Sequence, residues 1–356
     1  MITIATKDLK ALMPLINAAR INARKRLLDD CLLLLGEAGL HVKTPLTLSV
    51  AIAGRGELPP TVVSHKAFAA AVRSCGPVMT LSRDDARLVI ESGGITHRLE
   101  AKPDDYANVM QHERGENSSL WFIAGGAALG AAIDATRSAV STDYSRYYLN
   151  GVYLHTEGAG VAAVATDGHR LVKKTFGADV RTAEHTAIVP RQALPALRLL
   201  CRGKRDVEVY CDGERIIFSG YDGVLVVCCV DGIFPDYQRV IPLASKRKTW
   251  IAGDTGELLA AAKAMPVDKR SFSTCAVIDA TTKAPTIATK EATAAINVTA
   301  SNGKTTPRVG FNARYLAEML ALDQGAVRIT FEDAASPSVF EGQDAALTRV
   351  LVPMRA

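Results

Sequence analysis

The chain has 356 residues, of which 48% are hydrophobic and 22% are charged. At roughly 150 residues per domain this length predicts two or three domains, and the composition excludes disordered, collagen-like and coiled-coil classes. The formal net charge of +5 is compatible with a polyanionic partner without requiring one.

Nothing in the sequence predicts secretion or membrane insertion. The weakly polar run from Trp121 to Ile133 is about thirteen residues long, short of the roughly 18 that a membrane helix needs. Lys7 and Asp8 stand where a signal peptide keeps an apolar stretch, so we expect a cytoplasmic protein whose mature chain starts near Met1. Seven cysteines without a C-x-x-C pair predict reduced, buried thiols.

One pattern recurs three times along the chain. In each third, a short strand runs into a helix rich in alanine and leucine, and a second strand and helix follow roughly 60 residues later. The predicted strand and helix pairs are 2–4 with 7–19, 62–64 with 65–74, 121–123 with 127–140, 188–190 with 191–202, 249–251 with 256–265, and 309–311 with 312–322. Further strands are predicted after each second helix, at 78–81, 87–91, 207–210, 215–219, 327–331 and 339–340.

Local chemistry supports the predicted helix ends. Pro190 suits a first helical position. Glycines follow the second helix of each third, as is typical of helix C-termini: Gly76, Gly203 and Gly325. Four residues are suitable N-caps: Thr6, Ser64, Asp254 and Asn312.

The repeat predicts three α+β domains of one fold, at 1–117, 118–246 and 247–356, with polar linkers at 111–119 and 244–248. Each domain would place two helices on antiparallel sheet. Repeated three times, this arrangement predicts a curved array with six helices on one shared surface.

Basic residues recur at turn-like spacing on the predicted helices. On a single helix such a stripe is ordinarily a solvated face. On six helices facing one way it predicts a positive track suited to a phosphate backbone, and without a base-reading motif the binding would be independent of sequence. The residues are Lys7, Lys10, Lys66, Arg73, Arg137, Arg191, Arg198, Arg202, Lys263 and Arg314.

Two short matches to enzyme motifs lack the sequence context that those motifs require. Residues 158–163 match a dinucleotide-binding pattern, but no adequate helix can follow before 167–168, so we predict a hairpin turn. Residues 303–305 end like a phosphate-binding loop without its leading glycine, and we predict a turn there too. No two histidines have metal-ligand spacing. We therefore predict no catalytic residue, no metal and no cofactor.

Four strings carry a resemblance to a known family: Arg146–Gly151, Ala165–Leu171, Phe234–Tyr237 and Val352–Arg355. In order and spacing they resemble the bacterial DNA sliding clamp, the beta subunit of DNA polymerase III. The resemblance is specific over 120–242, 310–316 and 350–356, and generic over the first 110 residues. It implies a head-to-tail dimer of three-domain chains that closes a ring lined by twelve helices. Such a ring encircles duplex DNA, slides and tethers the replicative polymerase without chemistry of its own.

The resemblance also implies a pocket for a short, mostly apolar peptide between the second and third domains. Aliphatic side chains would form its floor, and Asn312, His169 and Arg170 would satisfy the polar groups of the peptide. The pocket residues implied are Arg146, Tyr148, Leu149, Thr166, Gly168, His169, Arg170, Leu171, Pro235, Val240, Asn312, Tyr315, Val350, Val352, Pro353 and Met354.

Partners and DNA contacts follow from the same resemblance. The expected partners are duplex DNA, the catalytic subunit of DNA polymerase III, the clamp loader complex, repair or translesion polymerases and a second copy of the chain. Together with the basic stripe, the resemblance implies DNA contacts at Arg24, Lys66, Arg73, Arg137, Tyr147, Arg191, Arg198, Arg202 and Arg239.

Three features depart from the family pattern. Residues 25–30 replace a proline-containing apolar stretch, the isoelectric point near 8.8 contrasts with typically acidic clamps, and Ala356 stands where a bulkier aliphatic residue is common. These departures are compatible with a divergent, accessory, plasmid-borne or phage-borne clamp. Two other hypotheses stay open: a clamp-derived interaction protein that does not close a ring, and an enzyme, which no motif supports.

Overall fold

The computed structural model describes residues 1–19, 31–37, 39–44, 48–103, 105–106, 118–267, 274–281, 284–302 and 308–355. Its main α-helices are α1 (Thr6–Ala18), α2 (His65–Ser74), α3 (Gly126–Thr136), α4 (Leu194–Leu200), α5 (Thr255–Ala264) and α6 (Ala313–Leu320).

Short β-strands make up most of the remaining described structure. In chain order they are β1 (Ile2–Ala5), β2 (Cys31–Gly36), β3 (Leu40–Lys43), β4 (Leu48–Ile52), β5 (Gly54–Gly56), β6 (Leu58–Ser64), β7 (Val78–Asp84), β8 (Arg87–Ser92), β9 (Ile95–Glu100), β10 (Ser119–Gly125), β11 (Gly151–Glu157), β12 (Gly160–Thr166), β13 (Arg170–Gly177), β14 (Asp179–Val180), β15 (Thr186–Pro190), β16 (Asp206–Cys211), β17 (Arg215–Gly220), β18 (Gly223–Cys228), β19 (Thr249–Asp254), β20 (Cys275–Asp279), β21 (Thr286–Ala288), β22 (Thr293–Ala295), β23 (Ala300–Ser301), β24 (Val309–Asn312), β25 (Ala326–Phe331), β26 (Ser338–Glu341) and β27 (Leu347–Leu351).

All six predicted strand and helix pairs are confirmed, with three helices shorter than predicted. The helix predicted over 312–322 is Ala313–Leu320. The helix predicted over 127–140 ends at Thr136 and continues as a 3₁₀ turn, Arg137–Ala139. The helix predicted over 191–202 is a 3₁₀ turn, Arg191–Ala193, followed by α4. Pro195, not Pro190, occupies the first turn of that α-helix, where a missing N–H leaves no hydrogen bond unmade.

Three of the four predicted N-caps are confirmed. The side chains of Ser64, Asp254 and Asn312 each accept a hydrogen bond from a backbone N–H in the first turn of their helix. The prediction for Thr6 is wrong, because the N-cap of α1 is Ala5 and Thr6 is the first helical residue, with its side chain buried. The helix start therefore depends on packing of Thr6 and not on a capping hydroxyl.

The predicted turns and helix-ending glycines are mostly confirmed. Gly203 and Gly325 adopt φ values of +104° and +74°, which favour glycine. Gly76 is different, because α2 ends on Cys75 in an extended conformation. Gly158, at φ +57°, forms the predicted hairpin turn between β11 and β12. The turn predicted at 303–305 lies outside the described residues.

The chain divides into two compact units. Unit 1 comprises Met1–Ile133, Gly158–Gly160 and Gly177–Val230, and unit 2 comprises Asp134–Glu157, Val161–Phe176 and Asp231–Ala356.

Unit 1 contains two sheets. One has the strand order β5-β1-β7-β8-β9 and the other β14-β10-β16-β17-β18-β4-β3-β2-β6. Neighbouring strands pair antiparallel, including β18 with β4 at Leu225 and Leu48. Helix α1 lies against both α2 and α4.

Unit 2 also combines antiparallel sheets with helices. Eight of its strands follow the order β11-β12-β13-β27-β26-β25-β19-β23, and four more form the sheet β22-β21-β20-β24. Strand β13 pairs antiparallel with β27 from Lys174 and Leu347 to Arg170 and Leu351. Helix α5 packs on α6. The predicted α+β fold class with antiparallel sheets is therefore confirmed, whereas the boundaries of the three predicted domains stay a prediction.

The cysteines are only partly as predicted. All seven are free thiols, and Cys31, Cys75, Cys201 and Cys211 are buried. Cys228, the last residue of β18, is exposed, and Cys229 and Cys275 are half-buried. The prediction of buried thiols is therefore wrong for three of the seven. None of the described helices is both long and apolar enough to cross a membrane.

Candidate functional site

The turn before β13 is the centre of the candidate site, and its own side chains fix it. Thr166 Oγ1 donates to the carbonyl of Arg170 at 2.7 Å and accepts from the N–H of Gly168 at 3.1 Å. Asp167 Oδ1 accepts from the N–H groups of His169 and Arg170, at 2.9 and 3.1 Å. The turn therefore presents His169 outward while Arg170 points into the protein.

The C-terminal tail lies along this turn. Beyond β27, the Val352 N–H donates to the carbonyl of His169 at 2.9 Å, and the Met354 N–H donates to the carbonyl of Gly310 at 2.7 Å. Val352, Pro353 and Met354 are half-buried. The tail thus joins the turn to β24, and its three apolar side chains are partly accessible.

Arg170 links the turn to helix α6. Its guanidinium bonds to Asp167 at 3.1 Å, pairs with Glu318 and donates to the carbonyl of Ser138. It also lies 4.1 Å from the ring centre of Tyr315. Only 7% of Arg170 is exposed, and two carboxylates compensate its buried charge. The side chain therefore links the turn to Glu318 and Ser138, with one hydrogen bond from each of its three guanidinium nitrogens.

Helix α6 contributes the wall opposite the turn. Asn312 Oδ1 caps it by accepting from the N–H groups of Arg314 and Tyr315, at 3.0 and 3.3 Å. The ring of Tyr315 stacks on His169 with 6.3 Å between ring centres. Burial raises the pKa of Tyr315, so its hydroxyl stays protonated and can donate or accept a hydrogen bond.

A buried arginine anchors the strand that leads into the tail. Arg349 is fully buried; it donates to the carbonyl of Met319 at 2.8 Å and pairs with Asp323 at 3.1 Å. Burial lowers its pKa. A side chain at Gly342 would collide with Asp323. This cluster ties β27 to the C-terminal end of α6, and sequence reasoning missed it because its members are distant along the chain.

The 3₁₀ segment Tyr144–Leu149 forms another border of the site. Asp143 caps it, accepting from the Ser145 N–H at 2.9 Å and from Arg146 Nε at 3.1 Å, and the hydrogen bonds with Ser145 are the main cause of its lowered pKa. Arg146 passes over Gly168, so closely that a Cβ there would lie 2.6 Å from Arg146 Nη1. Conformation therefore favours glycine at position 168, at φ +88°, and a Cβ there would displace the end of the Arg146 side chain.

The segment 231–240 completes the set of predicted peptide-site residues. An added Cβ at Gly232 would lie 3.0 Å from the Cβ of Tyr148, so the segment passes directly beside the 3₁₀ helix. Pro235 and Val240 are exposed on it, Val240 by 49%.

The predicted peptide-site residues all lie in unit 2, and most are joined by direct contacts. Three predicted floor residues, Leu149, Leu171 and Val350, are at most 4% exposed and support the surface from beneath. Val240, Pro235, Val352, Pro353 and Met354 provide the accessible apolar area. The supporting residues Asp167, Glu318, Ser138 and Asp143 were not predicted. The sequence carried one signal for the two aspartates. Each stands three positions before the arginine that it contacts, Asp167 before Arg170 and Asp143 before Arg146.

The predicted DNA-contact residues are distributed over both units. In unit 1, Lys66 and Arg73 are exposed on α2, Arg191 and Arg202 are exposed on either side of α4, and Arg198 is half-buried beside Gly130. A cleft of about 400 Å³ between α1 and α2 is lined by Lys10, Met13, Pro14, Asn17, Ala69, Val72 and Arg73.

In unit 2, Tyr147 is 53% exposed, Arg137 pairs with Asp134 at 3.7 Å and Arg239 pairs with Asp236 at 3.0 Å. These salt bridges are at the surface, so they leave the arginines available to other anions. Arg24 lies outside the described residues, and the DNA role of the whole set stays a prediction.

Comparison with known proteins places these features in a family context. The family model described as the central domain of the DNA polymerase III beta subunit matches residues 126–236. The beta sliding clamp of Caulobacter vibrioides is 32% identical over 286 residues, which cover 78% of this chain and 76% of that protein.

Solved structures agree over the full length. The DNA polymerase III beta structure from Caulobacter crescentus superimposes with a TM-score of 0.87 at 26% identity, covering 100% of both chains. A sliding clamp from Pseudomonas aeruginosa bound to griselimycin has a TM-score of 0.86 at 25% identity, covering 99% of both chains.

Proposed function

The chain belongs to the bacterial beta sliding clamp family, and from that membership we propose that it is a ring-forming processivity factor of DNA polymerase III. A second copy would pair with it head to tail, and three domains from each copy would close the ring. Its role would be to raise the local concentration of a polymerase on DNA, in the cytoplasm and without catalysis. The similarity to clamps over the whole chain carries this proposal.

Contact with DNA would be electrostatic and independent of sequence. Except for Arg202, which follows α4, the exposed basic residues named above lie on helices or short 3₁₀ turns, and none is accompanied by a base-reading motif. Diffuse positive charge attracts the phosphate backbone without a preferred position, and this permits sliding.

Partner proteins would dock through the site in unit 2. The exposed apolar residues Val240 and Pro235 and the half-buried tail residues Val352–Met354 offer desolvated contact area, while the exposed ring of His169 offers a polar group. Arg170 would act by positioning the turn, since Asp167, Glu318 and Ser138 occupy its guanidinium. The proposed partners are the polymerase catalytic subunit, the clamp loader and other polymerases that carry the same kind of apolar peptide.

Topology provides the decisive test. Protein loaded by a clamp loader onto nicked circular DNA should remain bound, and it should be lost once the circle is linearised with free ends. Linear DNA with both ends blocked by bound protein is the control and should retain it. Light scattering should give a mass close to twice 37.9 kDa. Retention on linear DNA with free ends, or a monomeric mass, would overturn the ring and favour the interaction module that does not encircle DNA.

A further inference from the structure

The segment 231–240 is held to strand β11 by a column of aromatic side chains. Phe234 and Tyr237 are 8% and 5% exposed, whereas Ile233, the residue before Phe234, is 91% exposed. The segment forms no strand, and only its last residues, Tyr237–Val240, form a 3₁₀ turn. The two buried rings therefore determine where the exposed residues Pro235 and Val240 lie.

Strand β11 supplies the other half of the column. Tyr153 and His155 are two residues apart, so their side chains leave the strand on the same face. Tyr153 stacks on Phe234 with 4.8 Å between ring centres and 4° between planes. His155 stacks on Tyr153 at 5.2 Å and lies 5.8 Å from Tyr237. The order of the column is therefore Phe234, Tyr153, His155 and Tyr237.

The two hydrogen bonds of His155 determine which of its ring nitrogens carries the proton. His155 Nδ1 is 2.9 Å from the carbonyl oxygen of Thr156, and His155 Nε2 is 2.9 Å from Tyr237 Oη. A carbonyl only accepts, so Nδ1 carries the proton of the neutral ring and Nε2 accepts from the tyrosine hydroxyl. Burial raises the pKa of Tyr237 to about 12, with a further contribution from Glu157, so that hydroxyl keeps its proton.

Three polar side chains lie near the Tyr237 hydroxyl or on the same segment, and one oxygen of Glu157, Oε2, is buried without a hydrogen-bond partner among the described residues. Glu157 pairs with Lys173, Asp236 pairs with Arg239 at 3.0 Å, and the side chain of Gln238 bonds to the Tyr237 hydroxyl. His155 Nε2, at 2.9 Å, is the acceptor whose distance and tautomer define the hydrogen bond of the Tyr237 hydroxyl. Without that acceptor, the hydroxyl would lose the hydrogen bond that fixes the orientation of the Tyr237 ring against β11.

We propose that His155 is a positioning residue of the peptide site, which orients Tyr237 and thereby places Pro235 and Val240 for contact with an apolar peptide. The inference rests on the proposed function, because it assigns a role within that site. Neither Tyr153 nor His155 touches the peptide in this arrangement; both act through the segment 231–240.

The test measures binding of a fluorescein-labelled peptide copied from the tail of the cognate polymerase catalytic subunit. H155F keeps the ring stack and removes the acceptor, and we expect about tenfold weaker binding. H155Q restores an acceptor, and its affinity should return to within about twofold of the wild type. Y237F should weaken binding, and the double variant H155F/Y237F should be no weaker than H155F alone, because both remove the same bond.

A histidine outside the site provides the control. His97 Nε2 also bonds to a hydroxyl, Ser74 Oγ, at 2.8 Å, and H97F should leave peptide affinity unchanged. Equal binding by H155F and the wild type, additive losses in the double variant, or no rescue by H155Q would each overturn the positioning role and leave the proposed function standing. Absence of binding by the wild type itself would overturn both. Dimer mass, measured for each variant, separates a local effect from a loss of fold.

Discussion

Gly168 shows how a single residue can shape the candidate site. Its φ of +88° belongs to the left-handed region, which costs about 1–2 kcal/mol for a residue with a Cβ. Its space is limited as well, because Arg146 Nη1 would lie 2.6 Å from that Cβ.

We therefore expect Gly168→Ala to lower the free energy of unfolding by about 1–2 kcal/mol and to weaken peptide binding by displacing Arg146. Urea unfolding and peptide anisotropy would measure the two effects. Gly177→Ala is the matched control, since a Cβ there meets nothing within 4 Å. A Gly168→Ala protein as stable as Gly177→Ala would show that the turn relaxes without strain.

Arg170 illustrates what residue identity alone could not settle. The family resemblance implied that Arg170 satisfies polar groups of a peptide, and that role stays a prediction. The folded chain places Glu318, 148 positions away, against its guanidinium. Only the tertiary structure decides which of an arginine's five N–H donors remain free.

At the scale of elements, the cap of α6 links helix stability to the candidate site. Asn312 ends β24 and caps the helix whose first turn carries Tyr315. Its amide oxygen accepts hydrogen bonds from backbone N–H groups of the helix. The predicted hydrogen bond to a peptide would therefore have to be made by the same side chain in addition to the cap.

Substitution of Asn312 can separate these roles. Asn312→Ala should cost about 1 kcal/mol of stability through loss of the cap, whereas Asn312→Asp keeps a capping oxygen and should restore most of it. Chemical denaturation would measure stability and peptide anisotropy would measure affinity. Weaker peptide binding by Asn312→Asp at near wild-type stability would show that the amide also contacts the peptide. No loss of stability in Asn312→Ala would contradict the cap assignment.

Elements were predictable where local chemistry determines them. The period of apolar residues and the caps at Ser64, Asp254 and Asn312 placed the helices within a few residues. The failures at Thr6 and Pro190 have one cause: both residues have suitable local chemistry, but packing of the surrounding strands and helices set the helix start elsewhere.

For the whole molecule, charge is distributed so that no single residue should dominate DNA binding. Lys66, Arg73, Arg191 and Arg202 are all exposed in unit 1. We expect Arg191→Ala alone to change the affinity for a short duplex little. Replacing all four should weaken affinity strongly and reduce the slope of log K against log salt by about 0.9 for each phosphate that is no longer neutralised.

Binding measured across a KCl series provides the readout for these charge variants. Arg98→Ala, which removes an exposed arginine outside the predicted set, is the control and should match Arg191→Ala. A large decrease in affinity from Arg191→Ala alone would indicate a localised DNA site and contradict the distributed field.

The sequence by itself determined the repeating strand and helix order, the α+β class and the family, because periodicity, capping chemistry and short motifs are local properties of the chain. Only the tertiary structure decided how the parts meet. The pairing of β13 with β27, the tail lying between the turn at 166–170 and β24, and the column from Phe234 to Tyr237 join residues far apart along the chain. Such contacts depend on mutual fit in space, which no local pattern encodes.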